Sequence, residues 1–295
     1  MHRRQFLGLA ALAAGGAGAM RLTDLDQVSR DLGRGPVMPS VFIGHGSPMN
    51  AIQDNAFTRS LARLGRRLDR PKAVLVVSAH WLTPGRTMVA LSPAPETIHD
   101  FGGFPDELFQ VRYPAPGAPE AARKAAAAVT SVQVHEDHEM GLDHGAWSVL
   151  KHIWPAADVP VFQMSLNWGM TPAEHHALSH QLKALRNDGI LVLGSGNVVH
   201  NLGRLNWSDP SAPPFDWAQE FDAFVGERLA AGDHQALVDY TSLGAVARLA
   251  HPTNDHYLPL LYTLGTAGFD EPLTELHSGL EMGSISMRSF MLGPG

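Results

Sequence analysis

Short apolar runs rich in β-branched residues alternate with longer helical patterns along most of this 295-residue chain. Runs of this length are typical of buried strands, and their alternation with helices favours a mainly parallel sheet. We therefore expect a single α/β domain, with a mainly parallel central sheet covered by helices on both faces. The predicted strands span residues 41–43, 73–77, 159–166, 190–193 and 284–291. The predicted helices span residues 57–68, 120–129, 145–153, 172–186, 217–231 and 257–264.

Histidines stand where several predicted strands end. His45 and His80 lie just past two of them, and His200 follows a third through a Gly-Ser-Gly-Asn loop. Ligands of such sheets bind outside the carboxyl ends of the strands, so we expect these side chains at one rim. Alone, each is more typical of an ordinary turn or core histidine, and the prediction depends on their matching placement. Since imidazole is the commonest side-chain metal ligand, the pattern favours a mononuclear metal enzyme.

A late segment adds two histidines, His251 and His256, just before a predicted helix. Asp255 is predicted to cap that helix, which would place His256 at its start and direct it off the rim of the sheet. The alternative, in which both histidines lie on a solvated loop, stays open.

Two further histidines are predicted to act beside the metal. The loop before His200 lacks the lysine of a phosphate loop and the spacing of a serine elbow, so an acid/base role suits this histidine better. His144 precedes a helix that Asp143 is predicted to cap. From that position His144 is expected to donate a hydrogen bond to an anionic substrate oxygen.

Two other histidine groups have ligand-like spacing but are predicted to be solvated. Residues 135–139, His-Glu-Asp-His-Glu, are the densest such run and are typical of an acidic surface loop. His176 and His180 have the i,i+4 spacing of zinc sites, but the helix is polar there and lacks a His-Glu-x-x-His motif. We therefore expect a solvated helix face at these two residues.

Composition narrows the chemistry further. The net charge is −7, and lysine and arginine form no long run after the N-terminus. A nucleic-acid binder usually carries a basic patch, so no nucleic-acid partner is expected. The chain has no cysteine, and any metal site must therefore use histidine, carboxylate or backbone oxygen.

The N-terminus has the pattern of an export signal. Arg3 and Arg4 form a twin-arginine pair, an apolar stretch follows over 7–19, and residues 17–19 match an A-x-A-like cleavage site. That stretch is shorter than the roughly 20 residues of a membrane span. We expect folded export to the periplasm by the twin-arginine machinery, with no stable membrane anchoring after cleavage; an accidentally apolar N-terminus is the alternative. The predicted parts are a signal at 1–20, a polar tether at 21–37 and a compact catalytic domain at 38–295.

Six short motifs follow one another in the compact domain. They are GHGSPM at 44–49, SAHW at 78–81, IHDFGGFP at 98–105, GLDHG at 141–145, GSGN at 194–197 and HPTNDHYLPL at 251–260. In order and spacing they resemble the class III, LigB-type, extradiol ring-cleaving dioxygenases, and specifically the 4,5-DOPA extradiol dioxygenase branch. The resemblance covers about residues 38–292 and implies a LigB-like single domain.

The resemblance also implies roles for individual residues. It places His45, His80 and His256 as metal ligands, where the protocatechuate branch of the family has a glutamate in the third position. It makes His200 the acid/base histidine, which some descriptions count as a further ligand. It makes His144 a histidine that contacts the substrate.

The implied reaction is cleavage of the aromatic ring of a DOPA-like catechol substrate with O2. Fe²⁺ is the cofactor expected for activity, and Zn²⁺ is an ion that can occupy such a site without supporting turnover. The expected partners are a small aromatic diol and O2. Whether His200 or His251 also ligates the metal stays open. Two alternatives are a zinc-dependent hydrolase and a non-catalytic binding protein on the same fold.

Overall fold

The computed structural model describes residues 37–207, 209 and 212–294. The strands are β1 (Ser40–Gly44), β2 (Ala73–Ser78), β3 (Leu82–Thr83), β4 (Thr87–Ala90), β5 (Val134–Asp137), β6 (Val161–Gln163), β7 (Leu166–Asn167), β8 (Ile190–Gly196), β9 (Leu273–His277), β10 (Leu280–Glu281), β11 (Ile285–Ser286) and β12 (Ser289–Leu292). The α-helices are α1 (Ala56–Arg67), α2 (Asp106–Phe109), α3 (Pro119–Ala128), α4 (His144–Ile153), α5 (Pro172–Gln181), α6 (Asp216–Ala230), α7 (His234–Val238), α8 (Ala245–Ala250) and α9 (Leu258–Thr266).

Six strands form the central sheet, in the order β6-β2-β8-β1-β12-β9. The four strands from β6 to β1 pair in parallel, as the alternation of strands and helices predicts. The remaining two, β12 and β9, pair antiparallel along the β1 edge. The predicted α/β fold with a mainly parallel sheet is therefore confirmed, and the antiparallel edge makes the sheet mixed.

The register of the parallel strands aligns their carboxyl ends. Gly44 of β1 lies opposite Gly196 of β8, and Ser78 of β2 lies opposite Ser195 of β8. Since three strands end together, residues that directly follow them meet at one rim of the sheet. This alignment brings together histidines that are far apart in the sequence.

The central strands are buried on both faces. Successive side chains point to opposite sides of a sheet, so neighbouring residues of one strand pack into two different cores. Val74 and Val76 of β2 pack into one core, together with Trp147 of α4. Leu75 lies in the other core, together with Leu261 of α9. Each fully buried aliphatic side chain contributes about 1.5–3 kcal/mol through removal from water, so both helical layers are held firmly on the sheet.

Three predicted elements are shorter or divided in the structure. The predicted strand at 159–166 forms two strands, β6 and β7, in different sheets. The predicted helix at 172–186 ends at Gln181 and continues as a 3-10 helix, Lys183–Asp188, capped by Gly189 in the left-handed region. The predicted strand at 284–291 divides into β11 and β12.

The predicted signal, and all but the last residue of the predicted tether, lie outside the described residues. The twin-arginine signal and the cleavage site therefore stay predictions. Among the described residues, no helix has both the length and the apolar character that crossing a bilayer requires.

Candidate active site

Five histidines line one cavity of about 410 Å³: His45, His80, His144, His200 and His256. His45 and His80 follow β1 and β2, and His144 begins α4. The ring centroids of His45, His80 and His256 lie 4.9–5.4 Å from one another. The structure thus brings together all five histidines to which the sequence assigns a metal, acid/base or substrate role.

Two glycines flank His45 and allow the backbone there to pass very close to its neighbours. A Cβ atom on Gly44 would lie 2.8 Å from the carbonyl oxygen of Arg288. Gly46 has φ of +63°, which side chains rarely adopt, and a Cβ there would meet the sulfur of Met287. The Gly-His-Gly sequence therefore lets β1 turn sharply beneath the segment that enters β12.

The proton on the His45 ring is fixed by a short hydrogen-bond chain. Ser195 Oγ donates to the carbonyl oxygen of Gly145 at 2.6 Å, so it accepts from His45 Nδ1 at 2.9 Å. His256 is held in the same way, because its Nδ1 donates to the carboxylate of Asp255. Each ring then keeps a lone pair on Nε2, and oxygen partners of this kind are typical of metal-binding histidines.

Asp100 serves two histidines at once. Its Oδ2 accepts a hydrogen bond from His144 Nδ1 at 2.9 Å and lies 3.5 Å from His80 Nδ1. Burial alone would raise the pKa of Asp100, but the hydrogen bonds and charge of His144 and its neighbours lower it to about 2. Asp100 is therefore ionised at neutral pH and orients both rings with Nε2 directed away from it.

The nearest pair of ring nitrogens fits a shared metal ion. His80 Nε2 lies 3.1 Å from His45 Nε2. Two nitrogens that each lie about 2.1 Å from one ion, at about 90–110°, are about 3.0–3.4 Å apart. The donor set of neutral nitrogens also suits an Fe, Zn, Cu or Ni ion better than Mg or Ca.

Burial keeps these rings neutral. It lowers the pKa of His45 and His256 well below the usual range, and neighbouring histidines lower both further. Burial and His144 lower the pKa of His80 to about 3, and burial lowers that of His200 to about 4. Because metal binding requires the deprotonated ring, all four are competent ligands at pH 7 without losing a proton.

The histidines divide into two groups when the distances between their ligand atoms are compared. His45, His80 and His144 form one group, and His200, Asp255 and His256 form the other, each with ligand atoms within 4.8 Å of one another. The predicted ligand set, His45, His80 and His256, takes members from both. His144 therefore lies close enough to ligate as well as to contact substrate.

Comparison with known proteins identifies the family. The family model described as the catalytic LigB subunit of aromatic ring-opening dioxygenase matches residues 38–289. The chain belongs to the LigB family of extradiol dioxygenases. It is thus an aromatic ring-opening enzyme, and the resemblance seen in the motifs is confirmed.

Relatives of this LigB-family dioxygenase cover nearly all of the described chain. A "4,5-DOPA dioxygenase extradiol" of Escherichia coli K12 is 44% identical, covering 87% of this chain and 95% of the relative. One of the same name from Beta vulgaris is 35% identical, covering 86% of this chain and 96% of the relative. The crystal structure of an uncharacterized Escherichia coli K12 protein superposes with a TM-score of 0.76 at 39% identity, covering 87% of this chain and 100% of that one.

His200 and His251 have different surroundings in the enzyme. The His200 ring stacks on His256, with centroids 3.4 Å apart and planes 6° apart, and it lines the cavity. His251 is buried in the core, where its Nε2 donates to the carbonyl oxygen of Val198 at 2.6 Å. Its ring contacts Tyr257, and it does not line the histidine cavity. This arrangement favours His200 over His251 as the extra histidine at the site.

Two capping predictions have different outcomes. Asp143 caps α4 as predicted, accepting a hydrogen bond from the backbone N–H of Ala146 at 3.2 Å. Asp255 does not cap α9, whose N-cap residue is Tyr257. The Asp255 carboxylate instead accepts a hydrogen bond from the ring of the neighbouring His256, so the predicted cap is wrong.

The two other histidine groups with ligand-like spacing, at 135–139 and at His176 and His180, do not line the cavity. Residues 135–137 are not a loop but part of β5, paired in parallel with β4, so that prediction is wrong. They remain polar, and exposed His138 pairs with Glu136 at 3.5 Å. On α5, His180 is exposed as predicted, but His176 is half-buried and burial lowers its pKa to about 4.

The sequence assigned no role to Asp100 or Ser195, although both lie in quoted motifs. Asp100 lies in the IHDFGGFP segment and Ser195 in the GSGN loop. Nothing in their local patterns shows which histidine each one meets. A search for acids and hydroxyls next to strand-end histidines would have found them as candidates.

Substitution of His144 with alanine tests its role directly. We expect the variant to keep its metal, because the three predicted ligands, His45, His80 and His256, remain. We expect KM for an aromatic substrate to rise, since the loss removes the predicted donor to a substrate oxygen. Metal content per chain and steady-state kinetics check this. Loss of bound metal would instead make His144 a ligand, as its grouping with His45 and His80 allows.

Proposed function

We propose that this enzyme cleaves the ring of a catechol with O2, using Fe²⁺ held by His45, His80 and His256. The observation that carries the proposal is the convergence of His45, His80 and His256 on one cavity, each as a neutral imidazole with an oxygen atom within 3.5 Å of Nδ1. Such ligands leave the full 2+ charge of the ion to be offset by a catecholate. When bound, Fe²⁺ would supply the positive charge that favours the diol in its deprotonated form and the redox chemistry that O2 requires, which Zn²⁺ lacks.

His200 is the proposed acid/base. It lines the cavity, stacks on the proposed ligand His256, and is neutral because burial lowers its pKa to about 4. A neutral imidazole can take a proton from a catechol hydroxyl and return it as the ring opens. General acid/base help of this kind is worth roughly 10²–10⁴-fold in rate.

His144 and the apolar wall position the substrate. The carboxylate of Asp100 fixes the His144 ring through Nδ1, which leaves Nε2 to meet a substrate oxygen. Phe101 and Phe104 line the same cavity and pack edge to face, with ring centroids 5.4 Å apart. An aromatic diol fits this wall, because its ring can pack on apolar surface while its two oxygens reach the histidines.

The proposal is tested with protein prepared anaerobically without metal and then loaded with either Fe²⁺ or Zn²⁺. We expect oxygen uptake in the presence of a catechol from the iron form alone, together with a yellow ring-opened product. A zinc-dependent hydrolase would show zinc-dependent hydrolysis and no oxygen uptake. A non-catalytic binding protein would bind the catechol in both forms and convert it in neither.

Folded export to the periplasm is a further part of the proposal, supported by the sequence of residues 1–20 alone. We expect replacement of both Arg3 and Arg4 by lysine to keep the protein in the cytoplasm, because the twin-arginine pair is the feature that addresses the export machinery. Cell fractionation of the wild type and of the variant with both replacements checks this. Equal amounts of both versions in the periplasm would contradict it.

A further inference from the structure

The cavity that holds the histidines has a second apolar wall, which the contacts proposed above leave uncovered. Those contacts place the diol at the histidines and its ring against Phe101 and Phe104. Two other segments of the chain also line the cavity, the loop that follows His200 and the hairpin of β10 and β11. Their apolar lining residues, here called the second wall, are Leu202, Leu205, Trp207, Met282 and Ile285.

The second wall runs from the histidines out to solvent. Ile285 pairs with His200 across an isolated bridge and is only 7% exposed, whereas Leu202 and Trp207 are 59% and 73% exposed. Seven large apolar side chains are exposed in the described part of the chain. Two of them belong to this wall, and a third, Phe215, hydrogen-bonds its hairpin. Apolar surface that is grouped at the mouth of a cavity is typical of a ligand-binding groove.

Backbone hydrogen bonds hold the two segments of the second wall against each other. The N–H of Asn201 donates to the carbonyl oxygen of Ser284 at 3.3 Å, and the N–H of Asn206 donates to that of Met282 at 2.9 Å. Between these two contacts the loop forms a 3-10 helix, Leu202–Arg204. Since the loop is tied to the hairpin at both ends, its apolar side chains are presented by an ordered backbone. A wall that is already formed costs a ligand little ordering entropy.

The cavity has more room than a single ring needs. At about 410 Å³ it lies in the range of sites that enclose drug-sized ligands, whereas a catechol is one ring with two oxygens. Among the described residues, its lining has no lysine or arginine that could bind an anionic substituent. Its acids are Asp100, which accepts a hydrogen bond from His144, and Glu281, which is exposed to water. The room beyond the diol is therefore matched to an apolar group.

We propose that the second wall is a subsite for a second, apolar ring attached to the catechol. The inference rests on the proposed ring-cleaving function and narrows its substrate class to catechols that carry such a ring. With the diol at the histidines, the second ring would pass Ile285 and cover Leu205 and Trp207. Covering these side chains removes apolar surface of both partners from water, and an aromatic ring on the Trp207 indole adds the attraction of ring stacking.

The test compares kcat/KM for 4-phenylcatechol and 4-methylcatechol on the iron-loaded enzyme. We expect the wild type to prefer 4-phenylcatechol. In Trp207→Ala, the ratio of 4-phenylcatechol to 4-methylcatechol should fall about 10-fold, mainly through KM, because the second ring loses its stacking partner. Trp207→Phe keeps an aromatic face and should retain most of the ratio. Trp168→Ala removes a tryptophan that is 70% exposed but lies outside the cavity, and it should keep the wild-type ratio.

The ratio within one variant separates the possible outcomes, since partial misfolding lowers both activities together. Cleavage of both catechols with the same ratio in wild type and Trp207→Ala would overturn the subsite and leave the ring-cleaving function intact. A wild-type preference for 4-methylcatechol would overturn the subsite in the same way. Failure of the iron-loaded wild type to cleave either catechol would overturn the proposed function and the subsite with it.

Discussion

Replacing His80 with alanine should remove bound metal and ring cleavage together. His80 Nε2 lies 3.1 Å from His45 Nε2, which is the separation expected of two nitrogens bound to one ion. Loss of a residue that merely orients a ligand typically costs 10–100-fold in metal affinity, so loss of a ligand should cost more than about 100-fold. Metal content after dialysis and oxygen uptake on a catechol are the two measurements.

A matched control for this variant is available on the surface. His180 is exposed on α5 and does not line the cavity, so His180→Ala should keep both metal and activity. Thermal unfolding of the metal-free proteins shows whether His80→Ala remains folded. A folded His80→Ala that binds metal as tightly as the wild type would contradict its role as a ligand.

Replacing His200 with alanine should have the opposite signature: metal retained and turnover lost. The proposed ligands keep their oxygen partners in this variant, because those contacts come from Ser195, Asp255 and Asp100. Loss of the acid/base should lower kcat by about 10²–10⁴-fold. Metal analysis and single-turnover kinetics under O2 separate the two effects.

A second variant tests whether His200 acts through its proton or only through its ring. His200→Phe can keep a flat ring against His256, whose centroid lies 3.4 Å from that of His200. We expect His200→Phe to be as slow as His200→Ala. Wild-type turnover in His200→Phe would show that packing alone matters, and loss of metal in both variants would make His200 a ligand.

The sequence was sufficient to predict where the residues that follow strand ends would lie. His45 and His80 were predicted correctly to meet because β1, β2 and β8 are parallel and end in register. The placement of His256 depended on an incorrect reason, since Asp255 binds the ring rather than capping α9. A local pattern can show that a polar residue lies near a helix start, but not which of two nearby donors it takes.

Contacts between distant loops could not be predicted in this way. Asp100 reaches His144 across 44 positions, and Ser195 reaches His45 across 150. Such pairs depend on how loops fold over the rim, which hydrophobic periodicity does not encode.

Oxygen uptake by the iron-loaded enzyme, measured on a panel of catechols under otherwise identical conditions, tests the proposed ring cleavage most directly. We predict consumption of O2 equimolar with catechol, a yellow product whose mass equals catechol plus O2, and neither from the zinc-loaded protein. No oxygen uptake with any catechol, in protein shown by metal analysis to contain iron, would contradict the proposed ring cleavage.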